Sequence, residues 1–120
     1  MNRYMIVLDK QTNAGLPPLG DVIDPVAVWG GRELGNRKRF KIMLDKVRYT
    51  AAAAQGDPSR IFVHHYIKLR HPIVTDYNSG VAGTVGDIAT NSIFIAMFGD
   101  NAANYPLTDK LWFRLRYTDN

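Results

Sequence analysis

Apolar and polar residues alternate with period two along several stretches of the chain, the clearest running from Ile61 to Arg70. Its odd positions are Ile61, Val63, His65, Ile67 and Leu69, apolar apart from one histidine. Its even positions are Phe62, His64, Tyr66, Lys68 and Arg70, all aromatic or cationic. Successive side chains of a strand point to opposite faces, so the odd set is expected to pack inward. Arg39 to Tyr49 alternates too, with Phe40, Ile42 and Leu44 facing one way and Lys41, Met43 and Asp45 the other. In the last predicted strand, Leu111, Phe113, Leu115 and Tyr117 share one face, and Trp112, Arg114 and Arg116 the opposite one, extended by Lys110. Ile93 to Phe98 is apolar at every position, the pattern of a strand covered on both sides. Tyr4 to Leu8 and Ile73 to Tyr77 complete a set of six predicted strands. His71-Pro72 separates the last of these from the run before it, because proline donates nothing to a ladder and restricts its predecessor.

Turn chemistry fills the intervals. Asn13-Ala14-Gly15 and Pro17-Pro18 follow the first strand, and Gly56-Asp57-Pro58 and Asn78-Ser79-Gly80 mark later turns. Asp21 is placed to cap a single helical turn through Val22 and Ile23, which Pro25 would end. Ala51 to Ala54 reads as a loop or short turn. The connections at 11–38, 50–60 and 78–90 are long for a compact domain, where such loops usually carry function or partner contacts. Short strands, turn-rich links and no sustained 3.6-residue period predict an all-β sandwich or partial barrel.

Composition narrows this picture. The 120 residues suit one domain, residues 1–120, large enough to bury roughly two-thirds of its unfolded surface. Absence of cysteine excludes a disulfide scaffold and cysteine-ligated zinc. No apolar run approaches the roughly 18–20 residues of a membrane-spanning helix, and no membrane partner is expected. The formal charge is only +4, but the positives bunch: Arg32, Arg37, Lys38, Arg39, Lys41, Lys46 and Arg48 face only Glu33 and Asp45 in the same stretch. Such clustering fits a phosphate footprint as well as it fits a solvated strand face.

Catalytic and metal-binding motifs are missing. No nucleophile elbow, zinc-protease helix, phosphate loop or dinucleotide fingerprint occurs. His64 and His65 adjoin but point to opposite faces of a strand, so they cannot converge on one ion. His65 is expected as a core histidine and His64 as part of a basic surface. Asp9, Asp21, Asp24, Asp76, Asp87 and Asp100 lie in or beside loops, where turn acids outnumber Ca²⁺ ligands. No enzyme activity, cofactor or metal is expected. Basic residues interleaved with aromatics, Phe62 to Arg70 and Lys110 to Arg116, suit either stacking on unpaired bases or burial against another subunit.

Five segments, Met5 to Gly15, Asn36 to Lys46, His64 to Val74, Ala89 to Asp100 and Leu111 to Asp119, together resemble capsid proteins of small circular single-stranded DNA viruses, and geminivirus capsids and the related satellite necrosis virus capsids share the pattern. Met5-Ile-Val-Leu-Asp-Lys-Gln-Thr-Asn-Ala-Gly15 is similar to their hydrophobic strand followed by an Asp-Lys and Asn-Gly turn. Asn36-Arg-Lys-Arg-Phe-Lys-Ile-Met-Leu-Asp-Lys46 resembles their Arg-Phe strand. His64-His-Tyr-Ile-Lys-Leu-Arg-His-Pro-Ile-Val74 is similar to a hairpin. Ala89 to Asp100 and Leu111 to Asp119 resemble the final strands, and all five occur in family order.

The resemblance implies a viral single jelly-roll β-sandwich of two antiparallel sheets, B-I-D-G on C-H-E-F. The match covers strands D to I, so strands B and C and a basic N-terminal arm have no counterpart here. The remaining layers would be I-D-G and H-E-F, with open edges that recruit other strands. The upstream strands are expected from a separate segment or a neighbour, or to be dispensed with. The function implied is a structural capsid protein that self-assembles as a homo-oligomer into an icosahedral shell around a small viral genome. It would reside in the virion, and in the host cell, including the nucleus, during assembly. Nucleic-acid contact is expected at Arg37, Lys38, Arg39, Lys41, Lys68, Arg70, Lys110, Arg114 and Arg116, and subunit contact at Trp29, Tyr66 and Trp112. At +4 per copy, tens of subunits offer a few hundred charges against roughly a thousand or more genome phosphates, which calls for a further basic segment. The competing reading is a small β-sandwich that binds carbohydrate or protein, using Trp29, Trp112 and tyrosines.

Overall fold

A computed structural model describes residues 1–13, 15–49, 62–78, 83–99 and 111–117. The described chain is all-β, with antiparallel pairing throughout and two single 3₁₀ turns at Leu19–Asp21 and Val85–Asp87. Its centre is a three-stranded sheet in which β1 (Asn2–Asp9) lies between β4 (Phe40–Arg48) and β7 (Ser92–Gly99). Two small ladders accompany it: β2 (Ile23–Asp24) with β3 (Gly31–Arg32), and β5 (Asp76–Tyr77) with β6 (Ile88–Thr90). Among the described residues no helix is long and apolar enough to cross a membrane.

The period-two pattern of β1 explains its central position. Arg3, Met5, Val7 and Asp9 are all buried on one face. Met5 and Val7 join Val22, Ile23 and Phe40 in the core, with Leu19, Ile42, Phe94, Ala96 and Phe98 packed around them. Full burial of side chains of this size contributes about 1.5–3 kcal/mol each relative to exposure. The inner face of the sheet is therefore closed by the segment running through Leu19, Val22, Ile23 and Val28, within the first long loop. Phe40 meets Phe94 edge to face, with ring centroids 6.4 Å apart.

A β-bulge changes the predicted face of β4. Ile6 pairs with Leu44 and Val7 with Ile42, so Met43 is an extra residue on β4. Phe40 and Ile42 face inward as expected, but beyond the bulge the inward positions become Asp45 and Val47, opposite Met5 and Arg3. Leu44 consequently turns to the outer face with Ile6, against expectation. The shift delivers Asp45 to Arg3.

Other expectations are corrected as well. The expected layering, with D in one sheet and E and H in the other, does not hold, because the first, second and fifth predicted strands pair directly as β1, β4 and β7. The first loop folds as a 3₁₀ turn ending at Asp21, so Asp21 does not cap a turn through Ile23. Ile93 and Ile95 on the outer face of β7 are 42% and 36% exposed, so β7 is covered on its inner side only. Residues 62–70 and 111–117 join no ladder among the described residues, and Ile73 to Tyr77 pairs only through Asp76 and Tyr77. A strand without a ladder has no sheet to hold its apolar face. Accordingly Leu111, Phe113, Leu115 and Tyr117, expected to pack, are exposed. In the earlier run, Val63 and Leu69 are also exposed, at 44% and 41%, though less so than Phe62 and Tyr66, and Ile67 alone of the described odd positions is partly buried, so the odd set does not pack inward. His65 is exposed rather than in the core, and its Nε2 lies 2.7 Å from the Tyr4 hydroxyl. Ile61 and Ala51 to Ala54 lie outside the described residues.

Candidate functional site

Two partly buried ion pairs organise the surfaces around the sheet, one at each end of the inner face of β1. At the first, Arg3 donates from Nε to Asp45 Oδ1 at 2.8 Å and from Nη2 to Oδ2 at 2.5 Å. Its Nη1 donates to the carbonyls of Val28 and Gly30, at 3.2 and 2.6 Å. The bonds to Asp45 raise the Arg3 guanidinium above its ordinary value, against the lowering effect of burial, and the carboxylate's charge adds to the rise. The two carbonyls flank Trp29, so Arg3 fixes the turn that displays this indole, which is 74% exposed. Gly30 closes that turn through its N–H to the Ala27 carbonyl at 2.9 Å. A Cβ there would sit 1.9 Å from the Pro25 carbonyl oxygen, so no other residue fits without moving backbone.

At the other end, Arg39 grips the fully buried Asp9, Nε to Oδ1 and Nη2 to Oδ2, both at 2.9 Å. The Gln11 N–H also donates to Oδ1, and the Lys10 N–H donates to the Arg39 carbonyl. Its hydrogen bonds to Asp9 raise the pKa of the Arg39 guanidinium, burial lowers it, and the charges of Asp9 and then Asp21 raise it further. Arg39 also lies 4.6 Å from the Phe40 ring centroid, over its face. This network braces an open cleft of about 480 Å³ lined by Lys10, Gln11, Asn13, Gly35, Asn36, Lys38 and Arg39.

The predicted nucleic-acid residues are thus distributed unequally. Lys38 and Arg39 share the cleft, with Arg39 committed to Asp9. Arg37 is exposed in the preceding turn, and its carbonyl accepts from Arg32 at 2.9 Å. Lys41 is exposed on the outer face of β4, opposite Leu8. Lys68, Arg70, Arg114 and Arg116 are exposed, and Lys110 lies outside the described residues. Of the predicted contact residues, Tyr66 is 79% exposed and Trp112 92%, so both are open to a partner alongside Trp29.

Lys10, absent from the sequence-based set, joins the cleft because it follows β1 directly. Asp9, read as a loop acid, faces inward like Met5 and Val7. Both placements follow from the parity of β1: positions 3 and 9 carry opposite charges on an otherwise apolar face. Of the other loop acids, Asp76 accepts from Thr90 and Asp87 caps the turn starting after Thr84.

No protein-family model and no solved structure matches the chain. The chain is 29% identical over 121 aligned residues to the coat protein of Maize white line mosaic Satellite virus. That alignment covers 98% of this chain and 52% of the relative, so the chain spans about half the length of the curated protein it matches. An all-β chain with open sheet edges, displayed aromatic residues and clustered cations is thus similar, over nearly its whole length, to a viral coat protein.

Proposed function

We propose that this chain is the shell-forming part of a viral coat protein, with a structural and non-enzymatic role. The observation carrying this reading is the similarity to a satellite virus coat protein across 98% of the chain. Copies assemble into a closed icosahedral shell as one β-sandwich domain each, burying Trp29, Tyr66, Trp112 and open strand edges between neighbours. The three-stranded sheet supplies one layer, and residues 62–70 and 111–117 contribute to the second. The shell encloses a small viral genome. Arg37, Lys38, Lys41, Lys68, Arg70, Lys110, Arg114 and Arg116 contact its phosphates without reading bases, and Arg39 braces the fold beside them. A separate N-terminal segment supplies the upstream strands and most of the charge compensation. The virion is its place of residence, reached through assembly in the host cell, with the nucleus as the assembly site.

Size-exclusion chromatography read at 260 and 280 nm tests this directly. The account predicts a large species with excess absorbance at 260 nm. Arg114→Glu combined with Arg116→Glu is expected to lower the 260/280 ratio of the assembled peak while leaving its elution volume unchanged. An unchanged ratio at equal assembly would assign that stripe to packing instead.

A further inference from the structure

The cleft beside β1 has features that a general basic surface lacks. Its two walls come from distant parts of the chain, Lys10 to Asn13 on one side and Gly35 to Arg39 on the other. Both are held in place from within. Asp9 ties Arg39 to the end of β1, and Arg32 Nη2 donates to the carbonyls of Arg37 and Phe40, at 2.9 and 2.6 Å. The Glu33 carboxylate accepts the Asn36 N–H at 2.7 Å. Because Asp9 neutralises Arg39, the charge that the lining offers to a ligand comes from the ammonium groups of Lys10 and Lys38, one on each wall and both exposed. Gln11 and Asn13 add amide donors, and among the described residues no aromatic ring lines the space.

We propose that this cleft seats one backbone phosphate of a single-stranded nucleic acid between Lys10 and Lys38. The proposal rests on the genome-binding reading above and deepens it by naming the contact. Opposed ammonium groups on a braced frame attract a singly charged phosphodiester, and the open mouth lets the strand run through on either side. With no ring available for stacking, this contact is indifferent to base identity, unlike a platform built from Phe62 and Tyr66.

The test is fluorescence anisotropy of labelled dT12 and dA12 against the full chain, over a salt series. Lys10→Gln with Lys38→Gln is compared with Lys46→Gln, an exposed residue on the outer face of β4 opposite Tyr4. Each phosphate contact to a single strand contributes about 0.7 to the salt slope, so loss of the one seated here lowers the slope by about 0.7 and affinity near 0.15 M salt by about fourfold. The double variant is expected to show both changes equally for dT12 and dA12, and Lys46→Gln neither. If the wild-type chain binds no oligonucleotide, the genome-binding reading and the cleft fail together. If it binds and the double variant binds identically, the cleft alone is overturned. Inorganic phosphate that displaces the oligonucleotide from Lys46→Gln but not from the double variant supports the same seat. Saturable phosphate binding without oligonucleotide binding overturns a nucleic-acid contact there.

Discussion

Asp9→Ala is expected to lower the stability of the purified chain by about 3 kcal/mol, the lower end of the range for breaking a buried ion pair. The lower end applies because the Arg39 side chain keeps 18% of its exposure and can recover some hydration. Asp9 itself has none, and its carboxylate accepts three hydrogen bonds, two from Arg39 and one from the Gln11 N–H. Removing it leaves a guanidinium uncompensated beside the core and unpins the start of the cleft. For a domain of this size the melting midpoint should fall by roughly 10–20 °C. Asp9→Asn, which keeps the shape and an acceptor but loses the charge, should fall between the alanine variant and wild type. Asp24→Ala, at an exposed position, should stay within about 0.5 kcal/mol of wild type. Equal midpoints for the alanine variants at positions 9 and 24 would remove Asp9 from its proposed bracing role.

Arg3→Met is the second large effect, about 2–3 kcal/mol, and its consequence is local as well as global. Methionine retains much of the buried stem but deprives the Val28 and Gly30 carbonyls of their donor and leaves Asp45 unpaired. Asp45 keeps about a third of its side-chain exposure, so water relieves part of that loss. The turn carrying Trp29 should loosen before the sheet does. Hydrogen exchange would report this as at least tenfold faster exchange at the Gly30 amide, with the amides shared between β1 and β7 protected until global unfolding. Uniformly faster exchange across β1, β7 and Gly30 would mean that Arg3 supports the whole fold and has no special hold on the turn.

The three strands of the central sheet were legible in the sequence, β4 from its period-two alternation and β1 and β7 from short apolar runs. Alternation did not reveal the bulge at Met43, since one extra residue in β4 becomes visible only against the register of its partner. That single residue reverses the faces of Leu44 and Asp45. The ion pair between Arg3 and Asp45 spans 42 residues of sequence and exists only after this reversal. Asp9 was closer to legible: it continues the buried parity of Met5 and Val7, and an acid at such a position demands a partner. The residues from Phe62 to Arg70 show the converse. Their alternation predicts a buried face, yet Val63, His65 and Leu69 stay exposed, because no pattern within a segment specifies a ladder partner. His65 left the core for the Tyr4 hydroxyl because a half-exposed aromatic neighbour satisfies its ring without desolvating it. The cationic cluster from Arg37 to Lys41 was legible as charge but not as geometry. The turn into β4 sends Lys38 to the cleft, Arg39 to Asp9 and Lys41 to the opposite face.

The central claim is that copies of this chain build a closed shell. Electron microscopy of the purified chain, at high concentration and physiological salt, tests it most directly. The account predicts closed particles of one diameter, lost when Trp29 and Trp112 are both replaced by serine. A field containing only monomer-sized molecules, with multi-angle scattering giving the monomer mass at every concentration, would contradict it.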